Sequence, residues 1–395
     1  MQKQILRCTQ DDNRLRHSRA GGNPAKQKRF SQYVFEVKRF VFKALDSRLR
    51  GNDGDFGKRS LDEAQRNPGK KVMTLTKPGF RFAASRLHFL LFVFFSFGAS
   101  ATPFAYITNQ ASNNVSVIDL ATNKTVATIP VGKAPAGVAV NSKIKKAFIT
   151  NAEGGDVSVI DIAANKVIDT IATGEGAVGL AVSADGSRVY VADWFKGRIL
   201  VFDAVTHKPI STIPTGRTPT GVAIRADGSR IYIANRDENV VSVIKPATGK
   251  TLSKIRVGHH PFAVGLTPNG KQLYALNVLS NDVSVIDIRR NRTIKNIKVG
   301  KAPYGVAFSP DGKRAYITNQ HSESVSVIDT ARRRVIGTWP VGAYPEGIAT
   351  LDNRVVVVNW MDDNVRVLDA ASGKTLATID VGKNPRGYGE FVGSP

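Results

Sequence analysis

Side chains able to do chemistry gather at a few points of this 395-residue chain. Trp194, Phe195, Lys196 and Arg198 lie almost side by side, Trp360 adjoins Met361, and Arg217, Arg236, Tyr304, Tyr344 and Arg386 occupy comparable places elsewhere. Aromatic rings beside Lys or Arg can stack on bases. The same rings can anchor a protein partner, or fold inward as apolar filling. A different chemistry belongs to Arg289, Arg290 and Arg292 and to Arg332, Arg333 and Arg334. Their density suits an acidic membrane surface, a polysaccharide or a nucleic acid, or serves only as solvated spacing along sheet edges. His259, His260 and His321 could hold a metal with an acid such as Asp282 only by converging, and adjacent residues of an extended chain point apart. No metal or cofactor is therefore expected. Ser, His and Asp are present without a recognisable nucleophile setting, so no catalytic residue is assigned.

The elements that must position these residues are repeated. Glycine recurs at Gly132, Gly174, Gly216, Gly258, Gly300, Gly342 and Gly382, and a second register runs through Asn109, Asn151, Asp193, Asn235, Asn277, Asn319 and Asn359. A period of about 42 residues marks a repeat architecture. Within each copy lie four short runs rich in β-branched and aromatic residues, separated by turn signals. Asp-Gly and Asn-Gly pairs beginning at Asp185, Asp227, Asn269 and Asp311 predict tight hairpins with both central residues at positive φ. Seven copies of four antiparallel strands predict an all-β, seven-bladed β-propeller; a β-solenoid is the rival. Strands a, b, c and d of each blade run outward from the channel. The chain from Phe104 to Asn109 reads as a b strand lacking its a strand, and 387–392 as an a strand lacking its b strand, so the two termini should complete one blade.

The strings Tyr106-Ile107-Thr108-Asn109, Tyr316-Ile317-Thr318-Asn319 and Val115-Ser116-Val117-Ile118-Asp119 resemble the YVTN repeat over residues 102–395. The resemblance implies a seven-bladed propeller like the exported YncE-like proteins and, through them, binding of single-stranded nucleic acid. Members of this family range over binders, surface proteins and domains of redox enzymes, so the fold alone does not set the function. The residues repeated in every copy read as scaffold. Asp119, Asp161, Asp203, Asp287, Asp329 and Asp369 end strand c and are expected to accept turn N–H groups, and the Asn register is expected to do the same.

The first 101 residues carry 21 Lys and Arg against 8 Asp and Glu, leaving 35 against 24 for the repeats, so the net charge of +24 is shared between the two parts. Residues 73–101 read as a signal peptide: a basic stretch, the apolar run from Phe89 to Phe97, and Ala99-Ser100-Ala101, with cleavage after Ala101. That run is too short to cross a bilayer of roughly 30 Å. Residues 1–72 read as an upstream extension that is not part of the gene product, or as a disordered basic arm. The expected location is periplasmic or secreted, and the expected state a monomer. The expected function is non-enzymatic binding of a macromolecule, single-stranded nucleic acid or another anionic polymer, or a protein. The alternatives are a cell-envelope scaffold and a lactonase-like hydrolase. Alternating strand direction places b–c and d–a loops on one face, with the aromatics. The a–b and c–d turns lie on the other, with most of the positive charge.

Overall fold

The computed structural model describes residues 103–395; the expected signal peptide and upstream segment lie outside the described residues. Seven sheets are formed, each built on four antiparallel strands in sequence order from the inside outward, with no α-helix among the described residues. Blade 1 comprises residues 104–130 closed by Val392–Gly393, and blades 2 to 7 begin at Pro135, Ala177, Pro219, Pro261, Pro303 and Pro345. The predicted seven-bladed propeller is the observed fold.

Strands b and c are buried along nearly their whole length, because neighbouring blades cover both faces of each sheet. That is why their sequences are continuous apolar runs and not strict alternations. Strand d is mostly exposed and in most blades buries one residue: Ile129, Ile171, Ile213, Ile255, Ile297 or Ile379. Inner strands approach closely around the axis. A Cβ on Gly221 would lie 2.7 Å from the Phe262 carbonyl oxygen, and Gly137, Gly179 and Gly305 likewise abut carbonyls of the next inner strand.

The glycine and asparagine registers meet. Gly132, Gly216, Gly258, Gly300, Gly342 and Gly382 each lie against the asparagine of the following blade, ending with Gly382 against Asn109. These asparagines act mainly as donors, a correction to the acceptor role expected of them: Asn109, Asn151, Asn235 and Asn277 each donate Nδ2–H to a serine Oγ on strand c at 2.7–2.9 Å. The strand-c aspartates do accept turn N–H groups, as from Ala121 to Asp119 at 2.8 Å.

Two further expectations are corrected. At the Asp-Gly and Asn-Gly turns only Gly186, Gly228, Gly270 and Gly312 have positive φ. The preceding Asp or Asn instead accepts from the N–H two residues on, as in Ser187 to Asp185 at 3.0 Å, giving a longer loop with a left-handed glycine. The closing strand is also split. Val392–Gly393 pairs antiparallel with Phe104–Asn109, whereas Tyr388–Glu390 runs parallel to Pro135–Asn141 inside the channel. Phe391, fully buried between them, accepts the Tyr106 N–H at 2.8 Å through its carbonyl. The termini do complete blade 1, and the same tail fills part of the channel.

Candidate functional site

The second residues of six inner strands, Ala136, Val178, Thr220, Phe262, Tyr304 and Glu346, and Arg386 just ahead of the tail strand Tyr388–Glu390 hold equivalent places around the ring. Small residues on one side are opposed by large or charged ones on the other. Phe262 stacks on Tyr304 with centroids 4.4 Å apart, and Tyr388 of the tail leans on both at 5.0 and 5.7 Å. The Tyr388 hydroxyl donates to the Phe262 carbonyl at 3.1 Å, which fixes the tail across the mouth.

Arg386 joins this aromatic group to a buried acid. It donates from Nε to Gln110 Oε1 at 2.9 Å and from Nη1 to the Tyr304 hydroxyl at 3.2 Å, with Glu346 Oε2 3.5 Å from Nη1. Gln320 Nε2 donates to Glu346 Oε1 at 2.9 Å. Glu346 is 1% exposed, and burial pushes its pKa up to about 7 against the opposing pull of Arg386 and the Gln320 hydrogen bond. Desolvation outweighs a single imperfectly aligned cation. Glu390, opposite Ala139 in the parallel tail strand, is exposed to solvent yet crowded by protein, and its pKa is also raised by desolvation.

Blade 3 departs from the repeat, and the departure makes the rim of the site. Asp193 replaces the register asparagine, and Leu200 stands where five of the other six blades place the serine it would bond. The carboxylate instead takes Arg198 Nε–H at 2.8 Å and the Lys196 N–H at 3.0 Å. Gly174, freed from the asparagine contact, adopts φ +77° with nothing near its missing Cβ, and Phe195 covers Gly176. Trp194 is left half-buried, edge-on to Phe262 at 6.4 Å, with the Arg236 guanidinium 5.3 Å above its ring. Such a cation–π contact contributes roughly 0.5–1 kcal/mol at an exposed site. His260 nearby has its pKa pushed down to about 4 by burial and by Arg236.

Of the predicted loop-face residues, Trp194, Arg236, Tyr304 and Arg386 thus belong to one continuous group. Tyr344 and Trp360 form a second with His321, whose Nε2 is 2.6 Å from the Tyr344 hydroxyl, and both aromatics are buried, as is Tyr304. Phe195, Lys196 and Arg217 stand on the rim, Arg217 donating to the Asp237 carbonyl at 3.0 Å. Phe262, Glu346, Gln320, Gln110 and Tyr388 were missed. Superposing the copies on the proline that opens each inner strand would have found the first two, since the next position is the one that varies most in chemistry.

The opposite face offers more room. A groove of about 1000 Å³ crosses the turns of blades 4 to 6, lined by Arg225, Lys271, Arg289, Arg290, Arg292 and Arg333 with Asp287 as its acid. Asp287 is 3.6 Å from Arg290 and accepts the Arg290 N–H, which with Arg290 holds its pKa below the usual carboxylate range. Arg332 is paired with Asp329 at 2.7 Å, and neither it nor Arg334 lines the groove. Among the described residues no group of three or more His, Cys, Asp or Glu could share a metal ion, and no helix is long and apolar enough to cross a membrane.

A family model described as Choice-of-anchor I domain matches residues 168–354, just under half the chain. No curated protein matches. Among solved structures, hydrazine synthase of Kuenenia stuttgartiensis is 22% identical, with a TM-score of 0.61, covering 67% of this chain and 92% of that one. A functionally unknown protein from Desulfotomaculum acetoxidans is 16% identical, TM-score 0.63, over 72% of this chain and 99% of its own. Dihydro-heme d1 dehydrogenase NirN in complex with DHE is 15% identical, TM-score 0.57, over 72% and 74%. At these identities the likeness is one of fold.

Proposed function

We propose that the chain is an exported, YVTN-type propeller that acts as a binding module for an anionic polymer, held on the basic turn face. The groove carries this reading: six cations line it against one carboxylate, and that carboxylate is already held by Arg290. Charge of this density attracts polyanions, and the open form of the groove suits a chain better than an enclosed small molecule. The loop-face mouth is less suited to the expected stacking of bases, because Tyr304, Tyr344 and Trp360 are buried and Tyr388 crosses the channel. Single-stranded nucleic acid would therefore bind through its phosphates. The sealed position of Glu346, held by Gln320 and close to Arg386, favours binding over a hydrolase.

The test is titration of the purified propeller with a single-stranded oligonucleotide, a sulfated glycan and a neutral glycan at several salt concentrations. Binding of an anionic polymer should weaken with a log–log slope that drops by about 0.7 for each phosphate contact removed on a single strand. Replacing Lys271, Arg289 and Arg292 by Gln should lower the slope; no salt-dependent binding to either polyanion refutes the proposal. A second reading rests on Trp194, half-buried under Arg236, which suits a protein contact on the loop rim.

A further inference from the structure

The central channel is shut at its loop end and open at its turn end. In the inner strands that begin at Ala177, Pro219, Pro261, Pro303 and Pro345, the first three or four residues are buried and the rest are half-buried. Each of these strands runs from the loop face to the turn face, so solvent reaches the channel from the turns. Phe262, Tyr304 and Tyr388, all buried, close the other end. From the fourth residue onward these five strands carry no charged side chain, and Val222, Ile224, Val264, Leu266, Val306 and Phe308 are typical of the wall they form. Its one polar side chain, Thr350, is already donating to the Phe308 carbonyl at 2.7 Å.

One carboxyl stands against this apolar wall. The tail strand Tyr388–Glu390 lies along Pro135–Asn141, with Tyr388 level with Gly137 and Glu390 level with Ala139, and it also packs on the inner strands that begin at Ala177 and Pro345. Gly137 is the third residue of its strand and belongs to the closed half. Ala139 is the fifth, and the fifth residue of the five strands above is half-buried in each case. The tail therefore shuts the channel with Tyr388 and places Glu390 just beyond the closure, where it is exposed. The Glu390 carboxylate has no hydrogen bond or ion pair among the described residues, and burial alone raises its pKa, with no cation pulling it back. The strands packed against the tail bring one other ionisable group, Glu346, which lies at the closed end with Gln320 and Arg386 beside it.

We infer that the open half of the channel is a binding site for an apolar organic cation, an alkylamine, whose ammonium meets Glu390 while its hydrocarbon lies along the inner strands. A crowded carboxylate among apolar neighbours is offset by a ligand that brings its own cation. An ammonium N–H donated to a carboxylate makes a shorter and roughly twice as strong hydrogen bond as a neutral pair, so Glu390 sets the head group of the ligand. The wall sets its body, since each methylene taken from water there raises affinity about 4-fold. The site lies apart from the basic groove and takes the opposite charge, so it goes beyond the polyanion reading and does not rest on it.

The probes are hexylamine, 1-hexanol and hexanoate, one chain with a cationic, a neutral and an anionic head, titrated into the intact propeller at about pH 8, where the amine is charged, and followed by ligand-observed NMR. The parent should bind hexylamine about 10-fold more tightly than 1-hexanol, and butylamine about 10-fold more weakly than hexylamine. Glu390→Gln removes a crowded charge that has no partner, so its Tm should equal or exceed that of the parent. Its preference for the amine over the alcohol should disappear. Equal binding of amine and alcohol by the parent, a preference for hexanoate, or a Glu390→Gln variant that keeps the amine preference refutes the site. The Lys271, Arg289 and Arg292 variant should titrate with hexylamine like the parent. If the parent binds no polymer but keeps a preference that depends on Glu390, the channel site stands and the polymer reading falls.

Discussion

Replacing Glu346 by Gln should change how the stability of the propeller depends on pH. The carboxyl is 1% exposed and its folded-state pKa is raised from 4.5 to about 7, chiefly by desolvation. Between these values the folded chain keeps a proton that the unfolded chain has released, so stability falls as pH rises. The full contribution is present below about pH 4.5 and is lost above about pH 7. The distance between the two values corresponds to roughly 3 kcal/mol. The amide that replaces the carboxyl would still meet Gln320 and would leave Arg386 its contacts with Gln110 and Tyr304, so the variant should fold. His260 works in the opposite sense: its depressed value takes stability away as pH falls from about 6.5 toward 4. Glu390 works in the same sense as Glu346. Both are common to parent and variant and cancel in the difference. Urea unfolding at half-unit steps from about pH 4.5 to 8 should show the parent losing about 3 kcal/mol relative to Glu346→Gln across the window. Curves that stay parallel to within about 0.5 kcal/mol would mean that burial does not hold the proton on Glu346.

Deleting Tyr388 to Pro395 removes the strand that closes blade 1, the Phe391 side chain that is 0% exposed, and the ring that crosses the mouth. The two aromatic side chains alone contribute on the order of 3–6 kcal/mol by burial, so thermal unfolding should move down by many degrees; an unchanged Tm refutes closure by the tail. Gly300→Ala puts a Cβ 2.6 Å from Asn319 Cγ and should cost about 1–3 kcal/mol by overpacking. Gly174→Ala, with open space but φ +77°, should cost about 1 kcal/mol from backbone strain alone; denaturant melts that rank the two variants the other way would overturn the interlock between the registers. Trp194→Ala should leave affinity for an anionic polymer within about two-fold while the groove variants lose it, because the ring lies on the opposite face. A large loss with Trp194→Ala, measured by fluorescence anisotropy, would move the site to the loop face.

The period of the glycine and asparagine registers was legible because every blade uses them. Their meeting was not, since Gly300 and Asn319 sit in different blades and only closure of the ring brings them together. The aromatic loop face was legible as a set of residue types, yet whether Tyr304 or Trp360 faces water depends on what lies beneath. The C-terminal tail, two blades further along the chain, supplies that for the Tyr304 ring through Tyr388. Glu346 carried a readable signal, since its six counterparts around the ring run from Ala136 to Arg386 and a carboxylate among them is out of keeping. The seam contacts of Tyr106, Arg314 and Tyr316 were beyond reach from one copy, because their partners lie 54 to 59 residues away in the next blade.

The two faces put the exceptions to the repeat to opposite uses. On the loop face the departures satisfy one another: Asp193 finds Arg198, Arg236 covers Trp194, and Arg386 joins Gln110, Tyr304 and Glu346. Such a network rigidifies the mouth and the tail that crosses it, and leaves few donors for a ligand. On the turn face the departures leave charge in excess: Arg225, Lys271, Arg289, Arg290, Arg292 and Arg333 line the groove with Asp287 as its one acid, and that is the charge the proposed anionic polymer would meet.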